Sequence, residues 1–444
     1  MNKKEVTRQF AKYVSQNILG MIGISLYILA DTFFISKAVG ADGITALNLV
    51  LPLYNFIFAL GLMIGVGAAI RYSVAASHGR NEGRSLFMNS IECGIVIGII
   101  FAVVGVTIPD RIIGILGGDE EIIAVGSGYT RIFMSFAPFF ICNHICNAFV
   151  RNDNRPGLAM LATLLSSLFN IIFDYVLMFP CGLGMKGAAL ATAFSPVVGI
   201  GICMTHLLGR KSTISLRPVR PSVRRMFYSC QVGVSAFVGE MSSGVITVVF
   251  NYIILNLAGN SGVAAYGIIA NTALVAVATL NGVAQGSQPL LSSCYGRGET
   301  ENMNRLVRLA MITAVIIGTV IYVCAAFFAP QIAGIFNRDN DAGLTRMAVN
   351  GMHIYFAGFI FAGINIVGSN IFSSVEKARL AFVTSLMRGF IVIIACAFIL
   401  SAIAGMTGVW SAYPVSEAIT AVVSAAGIIG ILRNLSLIHI SEPT

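Results

Sequence analysis

Two carboxylates lie inside long apolar stretches of this chain and are the first candidates for chemistry. Asp31 and Asp174 each come five residues before the end of a stretch that has the length of a membrane-spanning helix. A charged side chain at the centre of a bilayer costs about 2.5 to 3.5 kcal/mol on insertion scales, so such a residue is a functional candidate by default. The two positions therefore point to the handling of a proton or another ion.

The composition places the whole chain in a lipid bilayer. Of its 444 residues, 57% are hydrophobic and 11% are charged, and the mean hydropathy is +0.85. A soluble protein needs more polar surface than this. The apolar runs of about 20 to 30 residues fit a hydrocarbon core about 30 Å thick. We expect the first run to be a retained span and not a cleaved signal peptide, because many similar runs follow it. We therefore predict an all-α integral membrane protein.

Polar breaks divide the chain into twelve predicted transmembrane helices. The longest break is rich in arginine and separates two sets of six helices. We predict an N-terminal six-helix lobe at 1-209, a cytoplasmic linker at 210-225 and a C-terminal six-helix lobe at 226-434. Residues 435-444 resemble translated adapter sequence and are expected to be a non-native tail. The predicted helices span residues 13-36, 44-74, 86-109, 122-150, 157-179, 187-209, 224-257, 262-292, 303-328, 343-373, 379-403 and 408-432.

The two halves resemble each other in sequence. GADGITA at residues 40–46 matches GNSGVAA at residues 259–265, each just after the first helix of a half. An internal repeat with six helices in each half gives both halves the same orientation, so we predict two pseudo-symmetric lobes with the substrate path between them. Further matches at nearly the same spacing are Gly65 with Gly282, Gly79-Arg80 with Gly296-Arg297, Leu158-Ala159 with Leu380-Ala381, and Gly187 with Gly408.

The distribution of basic residues predicts the orientation of the chain. Placing the N-terminus and every second break on one side puts 22 Lys and Arg residues there, against six on the other. By the positive-inside rule, both termini are expected to be cytoplasmic. The net charge of +9 is then a topology signal, and a nucleic-acid partner has little support because the cations are scattered over short loops. No glycine-rich phosphate loop occurs, so ATP is not the evident energy source.

Several motifs resemble those of the multidrug and toxic compound extrusion (MATE) family, and the resemblance covers residues 1 to about 434. The motifs are LYILADT at 26–32, RNDNR at 151–155, GAALAT at 187–192, GVAQGSQPL at 282–290 and GVW at 408–410. The resemblance implies twelve helices in two lobes around a V-shaped central cavity. It also implies export of lipophilic, often cationic compounds in exchange for protons or sodium ions.

The same resemblance implies a cation-coupling site in the first half. Asp31 matches the coupling aspartate of the first helix, and the matching polar network is Asn147, Asn170, Asp174 and Thr192. The residues themselves agree, because Asp31 and Asp174 should both lie about 7 to 8 Å from the outer helix ends. Asn170 and Asp174 are four residues apart and share a helix face.

Burial and mutual repulsion favour protonation of at least one carboxylate of this pair, which would discharge the site and let the first helix repack. The alternative is that Asp31 and Asp174 cap or hydrogen-bond helix ends near the interface. With the spacing of the repeat, Asp31 corresponds to Phe250 and Asp174 to Cys396, so neither has an acidic twin. The coupling site is thus predicted in the first half alone.

Two further acids, Glu240 and Glu417, are second-lobe candidates for binding a substrate or an ion. The alternative for both is interhelical hydrogen bonding. Cys142, His144 and Cys146 do not predict a metal site, because residues two apart on a helix point to different faces and no fourth ligand is evident. We predict no metal, no cofactor and no catalytic residue.

We predict a secondary active multidrug efflux antiporter coupled to H+ or Na+. Its expected partners are lipophilic small molecules and the lipid bilayer, and we expect a multi-pass monomer in the plasma or inner membrane. The first alternative is a lipid-linked saccharide flippase of the same superfamily, which would favour a strongly cationic cavity. A channel or a membrane-embedded enzyme is a more distant alternative, and no catalytic cluster supports the latter.

Overall fold

A computed structural model of the chain is almost entirely helical. The structure describes residues 3–77, 85–336 and 341–441, together with the side chains of all but a few of them. The helices are α1 Lys3–Ala38, α2 Ala41–Ser77, α3 Leu86–Thr107, α4 Pro109–Ile115, α5 Glu120–Ser135, α6 Ala137–Asn152, α7 Pro156–Met178, α8 Gly184–Leu207, α9 Val223–Gly296, α10 Thr300–Phe327, α11 Ala329–Phe336, α12 Ala342–Tyr355, α13 Phe359–Ser374, α14 Ala378–Leu386 and α15 Val392–Ser441. A 3-10 turn joins α12 to α13, and a π-helical turn joins α14 to α15.

Nine helical segments of the described chain are long and apolar enough to cross a bilayer, and the bent pair α5 and α6, which meet at 47°, makes a tenth. The backbone of α9 is non-helical at Gly259, and that of α15 is non-helical at Ala404 and Gly405. Dividing these two long helices there adds two more spans. The described residues are therefore consistent with the predicted twelve spans. The predicted tail lies partly in α15, which continues to Ser441; residues 442–444 lie outside the described part of the chain.

The chain forms two compact units. The N-terminal unit is Leu19–Glu240, and the C-terminal unit is Met1–Ile18 together with Met241–Thr444. The chain passes from one unit to the other inside α1 and again inside α9. The lobes 1-209 and 226-434 stay a prediction, since the compact units have bounds of their own.

Within the N-terminal unit, the predicted linker is fixed to the helices. The backbone N–H of Ser222 donates to Asn89 Oδ1 over 2.8 Å, and Arg225 Nη1 donates to Ser85 Oγ over 2.7 Å. Arg71 Nη1 donates to the Arg225 carbonyl over 2.8 Å. These bonds hold the beginning of α9 against α2 and α3, which is why α9 starts in this unit.

Within the C-terminal unit, the beginning of α1 packs on the later part of α9 through glycine. A Cβ atom on Gly282 would lie 2.6 Å from the Cα of Ile18, and one on Gly286 would lie 2.7 Å from the Cα of Val14. Small residues allow such close helix approach in membranes, where van der Waals packing replaces hydrophobic burial as the source of association. The first part of α1 therefore belongs to this unit.

The internal repeat is visible in the backbone of the described residues. Gly40 and Gly259 both have positive φ, 86° and 63°, at the two equivalent ends of a first helix. Asn154 and Glu376, which are not glycine, also share a left-handed conformation, with φ of 60° and 57°. Left-handed residues other than glycine are uncommon, so their recurrence at the spacing of Leu158 and Leu380 supports the repeat. The predicted match at Gly79-Arg80 lies outside the described residues.

Candidate functional site

The polar centre of the N-terminal unit is built on α7 and α8. Asn170 and Asp174 lie one turn apart on α7 and are fully buried, as is Thr192 of α8 apart from 3% of its surface. In the amide orientation that satisfies both of its ends, Asn170 donates to Asp174 Oδ2 over 3.1 Å. Its oxygen accepts from the N–H and the hydroxyl of Thr192, both over 3.3 Å. The structure thus brings three of the predicted site residues together.

Asp31 of α1 faces this centre. Its side chain is 8% exposed, and its charge acts on Asp174. One oxygen of each carboxylate, Oδ1, is buried without a hydrogen-bond partner among the described residues. No Lys, Arg or His of the described chain forms an ion pair with either. A buried carboxylate pair without a counterion is stabilised by taking up a proton or a cation.

Three tyrosines complete this polar centre, and sequence reasoning did not single them out. The hydroxyls of Tyr27 and Tyr54 lie 2.6 Å apart, and Tyr27 precedes Asp31 by one turn of α1. The buried hydroxyl of Tyr129 lies beside Thr192. The four-residue spacing of Tyr27 and Asp31 is a signal that the sequence contains, because such residues share a helix face. Tyr129 has no such signal, since only the packing of α5 on α8 brings it near.

Asn147 lies on α6 and bonds elsewhere. Its side-chain nitrogen donates to the Ala159 carbonyl over 3.1 Å and to Thr163 Oγ1 over 3.0 Å. Both acceptors are on α7, on the N-terminal side of the turn that carries Asn170. Asn147 therefore joins α6 to α7, and its part in the cation-coupling network stays a prediction.

Glu240 lies in the N-terminal unit, while the predicted second lobe 226-434, to which the sequence assigns it, stays a prediction. It is the last residue of that unit, and its charge acts on the hydroxyls of Tyr27 and Tyr54. Glu240 falls in this unit because the beginning of α9 is held against α2 and α3 by the linker hydrogen bonds. A third carboxylate thus lies near the first two.

Glu417 lies in the C-terminal unit, as predicted, and both of its carboxylate oxygens have partners. Arg388 Nε donates to Oε1 over 2.7 Å, and Asn365 Nδ2 donates to Oε2 over 2.6 Å. The side chain of Glu417 is 2% exposed. Glu417 is therefore neutralised within the protein, unlike Asp31 and Asp174.

The described residues contain no group of three or more His, Cys, Asp or Glu side chains placed to hold a metal ion. His144 instead contacts the ring of Phe58, with 4.0 Å between the ring centres. Cys142 and Cys146 are buried free thiols. These residues pack as ordinary core side chains.

The helices and their buried polar centre define a multi-pass membrane protein built for transport. The sequence model of the MatE family matches residues 17–176 and 236–399, and the chain belongs to that family. Members of the family are transporters, so this protein is a transporter and not an enzyme.

Two relatives match almost end to end. The chain is 26% identical over 437 residues to the multidrug export protein MepA of Staphylococcus saprophyticus, covering 97% of this chain and 95% of that protein. It is also 26% identical over 447 residues to MepA of Staphylococcus aureus strain MSSA476, covering 99% and 97%.

Solved structures share the fold. A multidrug resistance MATE family transporter of the MOP superfamily, described as outward-facing, superposes with a TM-score of 0.91 at 21% identity. A MOP superfamily transporter from Pyrococcus furiosus, described as having a binding pocket of reverse polarity, superposes with a TM-score of 0.90 at 20% identity. Each match covers 97% of both chains. At these identities the likeness concerns the fold alone.

Proposed function

We propose that this protein is a secondary active multidrug efflux antiporter that exchanges lipophilic, often cationic compounds for protons or sodium ions. The observation that carries the proposal is the pair Asp31 and Asp174, two buried carboxylates that repel each other and have no cationic partner in the described chain. Such a pair changes its net charge when it takes up an ion. A coupling site must respond to ion uptake by such a change of net charge.

Uptake of a proton or Na+ would act first on the contact between α1 and α7. Gly20 and Gly23 bring α1 against Thr163 and Leu164 of α7, so α1 and α7 are in direct contact near the site. While both carboxylates are charged, their repulsion opposes close packing of Asp31 against Asp174. Neutralisation removes the repulsion and lets α1 settle on α7, and Asn170 and Thr192 keep Asp174 in place during the change.

The substrate class comes from the relatives. Both MepA proteins are named for multidrug export, and they match this chain over nearly its whole length. We therefore extend lipophilic small-molecule export to this chain. We further propose that it acts as a monomer in the cell membrane with both termini cytoplasmic, and that the coupling ion is its only inorganic requirement.

Efflux from proteoliposomes tests the proposal. Wild type and Asp31→Asn would be reconstituted with a fluorescent lipophilic cation, and transport would be followed under an imposed pH gradient or an imposed sodium gradient. We expect the wild type to respond to one gradient and Asp31→Asn to lose that response. The matched control is Asp110→Asn, which changes an exposed aspartate of α4 and should transport like the wild type. Gradient-driven efflux that is unchanged in Asp31→Asn would refute the coupling role.

The flippase alternative has weaker support. A lipid-linked pyrophosphate needs several free cations, whereas the three carboxylates near Tyr27 make the centre of the N-terminal unit acidic. Arg388, which lies in the C-terminal unit, is already paired with Glu417. Flipping of a pyrophosphate-linked lipid by the wild type, without export of any lipophilic cation, would favour this alternative.

A further inference from the structure

The N-terminal unit carries a basic surface where the linker meets α9, and the proposed coupling site does not use it. Seven Lys and Arg residues lie between Asp174 and Glu240, and this stretch contains no Asp or Glu. Within the described part of the chain, none of the seven forms an ion pair with a carboxylate. A surface with one sign of charge attracts an anion from outside the protein.

Two arginines of this surface lie over the same tyrosine ring. The guanidinium carbon of Arg224 lies 5.8 Å from the centre of the Tyr228 ring, and that of Arg71 lies 5.9 Å from it. Arg224 and Tyr228 are four residues apart and share a face of α9, whereas Arg71 belongs to α2. The ring attracts both cations but neutralises neither. Two positive charges are thus gathered at one point of the surface.

The hydrogen bonds of these two arginines leave their charges unbalanced. Arg71 Nη1 donates to the Arg225 carbonyl over 2.8 Å and to Ser229 Oγ over 3.2 Å, and both acceptors are neutral. The exposed side chain of Arg224 makes no hydrogen bond with any residue that the structure describes. A guanidinium has five N–H donors. Both side chains therefore have donors left for an anion.

Exposed apolar side chains stand beside the two arginines. Val223 and Phe227 are 85% and 60% exposed, and they lie next to the face of α9 that carries Arg224 and Tyr228. These residues are in the first two turns of a segment long and apolar enough to cross a bilayer. Arginine and tyrosine side chains near the end of such a segment reach the headgroup layer, while apolar ones contact acyl chains. The surface therefore offers contacts to both parts of a lipid.

The internal repeat shows that the two arginines are not part of the shared architecture. At the spacing of 217 residues, Arg71 corresponds to Gln288, which is buried and donates to Ser292 Oγ over 3.1 Å. At the spacing of 219 residues, Arg224 corresponds to Glu5. The equivalent contact between the beginning of α1 and the later part of α9 is made without these cations. Packing alone does not require them.

We propose that this surface, which we call the arginine patch and define as Arg71, Val223, Arg224, Phe227 and Tyr228, binds an anionic phospholipid. The guanidinium groups bind the phosphate oxygens through charge-assisted hydrogen bonds, and an acyl chain covers the apolar side chains. Basic pockets at the ends of membrane spans suit such headgroups. A soluble phosphate would satisfy the arginines but leave the apolar side chains uncovered, so the occupant is a lipid. The inference does not rest on the proposed export function.

Lipid binding to the purified full chain tests the proposal. Protein in detergent would be titrated with a phosphatidylglycerol or with a phosphatidylcholine that has the same acyl chains, and native mass spectrometry would count the bound lipids. We expect the wild type to bind one phosphatidylglycerol more tightly than any phosphatidylcholine. Arg224→Gln should lower the affinity for phosphatidylglycerol roughly 5-fold and leave that for phosphatidylcholine unchanged. Added salt should weaken the binding of phosphatidylglycerol to the wild type.

Arg308→Gln is the matched control. It removes one positive charge from an exposed arginine of α10 in the C-terminal unit, so it should bind phosphatidylglycerol at the arginine patch like the wild type. Glycerol 3-phosphate, which has a phosphate but no acyl chain, should not displace the bound lipid. Equal affinity of the wild type for the two lipids, or equal losses in Arg224→Gln and Arg308→Gln, would overturn the proposal. Displacement by glycerol 3-phosphate would overturn the choice of a lipid.

Thermal unfolding in detergent separates lost binding from lost folding. Without added lipid, Arg224→Gln should unfold at the wild-type temperature, because its side chain makes no hydrogen bond to the described chain. Phosphatidylglycerol should raise the unfolding temperature of the wild type more than that of Arg224→Gln, since a ligand stabilises the state that binds it. The same rise in both proteins would show that the lipid binds elsewhere and would overturn the proposal.

Discussion

Ser369 makes the same two contacts in the second half of the chain that Asn147 makes in the first. Asn147 bonds to the Ala159 carbonyl and Thr163 Oγ1. Ser369, 222 residues further on, donates to the Ala381 carbonyl over 3.2 Å and lies 2.7 Å from Ser385 Oγ. All three positions are related by the same spacing. A contact found in both halves belongs to the shared architecture, whereas Asp31 and Asp174 have no acidic counterpart.

We therefore predict that Asn147→Ala lowers stability without selectively abolishing ion coupling. Removal of its two hydrogen bonds should reduce the free energy of unfolding by about 1 to 2 kcal/mol, and Ser369→Ala should have a similar effect. Thermal unfolding in detergent and gradient-driven efflux per folded molecule would be measured for both variants. Full loss of the gradient response in Asn147→Ala, at an unchanged unfolding temperature, would assign Asn147 to the coupling site instead.

Asp153 is predicted to hold the linker in place. Its Oδ2 accepts from His206 Nε2 over 2.8 Å and from the Thr213 N–H over 3.1 Å, and its Oδ1 accepts from the Tyr72 hydroxyl over 3.0 Å. Asp153→Ala would leave several buried donors without an acceptor, so we expect a loss of about 3 kcal/mol. The linker should also loosen and become open to cleavage after Lys211.

Limited trypsin digestion of protein in detergent would measure that loosening. Asp153→Ala should be cut into two fragments near Lys211 well before the wild type. The control is Asp110→Ala, since Asp110 is an exposed carboxylate. Equal digestion rates for Asp153→Ala and the wild type would show that the linker is held by its other contacts.

The left-handed glycines at the start of each second span are predicted to be intolerant of a side chain. Gly40 has φ of 86°, and Gly259 has φ of 63° with ψ of −155°. No atom lies within 4 Å of a Cβ placed on either residue. The penalty of Gly40→Ala or Gly259→Ala is therefore conformational, about 1 to 3 kcal/mol.

Gly201→Ala provides the contrast. A Cβ on Gly201 also meets nothing within 4 Å, but this residue is inside α8, where alanine is favoured by up to about 1 kcal/mol. Unfolding temperatures should thus fall for Gly40→Ala and Gly259→Ala and stay level or rise for Gly201→Ala. A uniform shift for all three would contradict the backbone explanation.

Glu299 gives a prediction for pH. This residue lies in the turn between α9 and α10, where the hydrogen bond from Asn302 Nδ2, 2.7 Å long, and then Arg297 hold the pKa of Glu299 below its usual value of 4.5. A depressed pKa stabilises the fold above the unfolded value, and this contribution is lost as pH falls through the folded value.

Wild type should therefore be more stable than Glu299→Gln at neutral pH, and the difference should shrink as the pH falls below about 4.5. Thermal unfolding of both proteins between neutral and acid pH would measure the difference. A stability difference that stays constant over this range would show that Glu299 contributes through packing and not through its charge.

Much of the fold follows from local features of the sequence. Apolar runs of membrane length predict each span, and the glycine motifs at 40–46 and 259–265 predict the repeat, which the positive φ of Gly40 and Gly259 supports. The pairing of Asn170 with Asp174 is also predictable, because residues four apart on a helix share a face. The same rule places Tyr27 on the helix face of Asp31.

Composition and short spacings are enough to establish the membrane class, the helices, the repeat and the acids inside the spans. Which of these acids have partners depends on how the helices pack. Arg388 and Glu417 are 29 residues apart on different helices, and Glu240 joins Tyr27 because the start of α9 is held in the N-terminal unit. The charge state available to a buried carboxylate depends on neighbours from distant segments, and the packing of helices sets those neighbours.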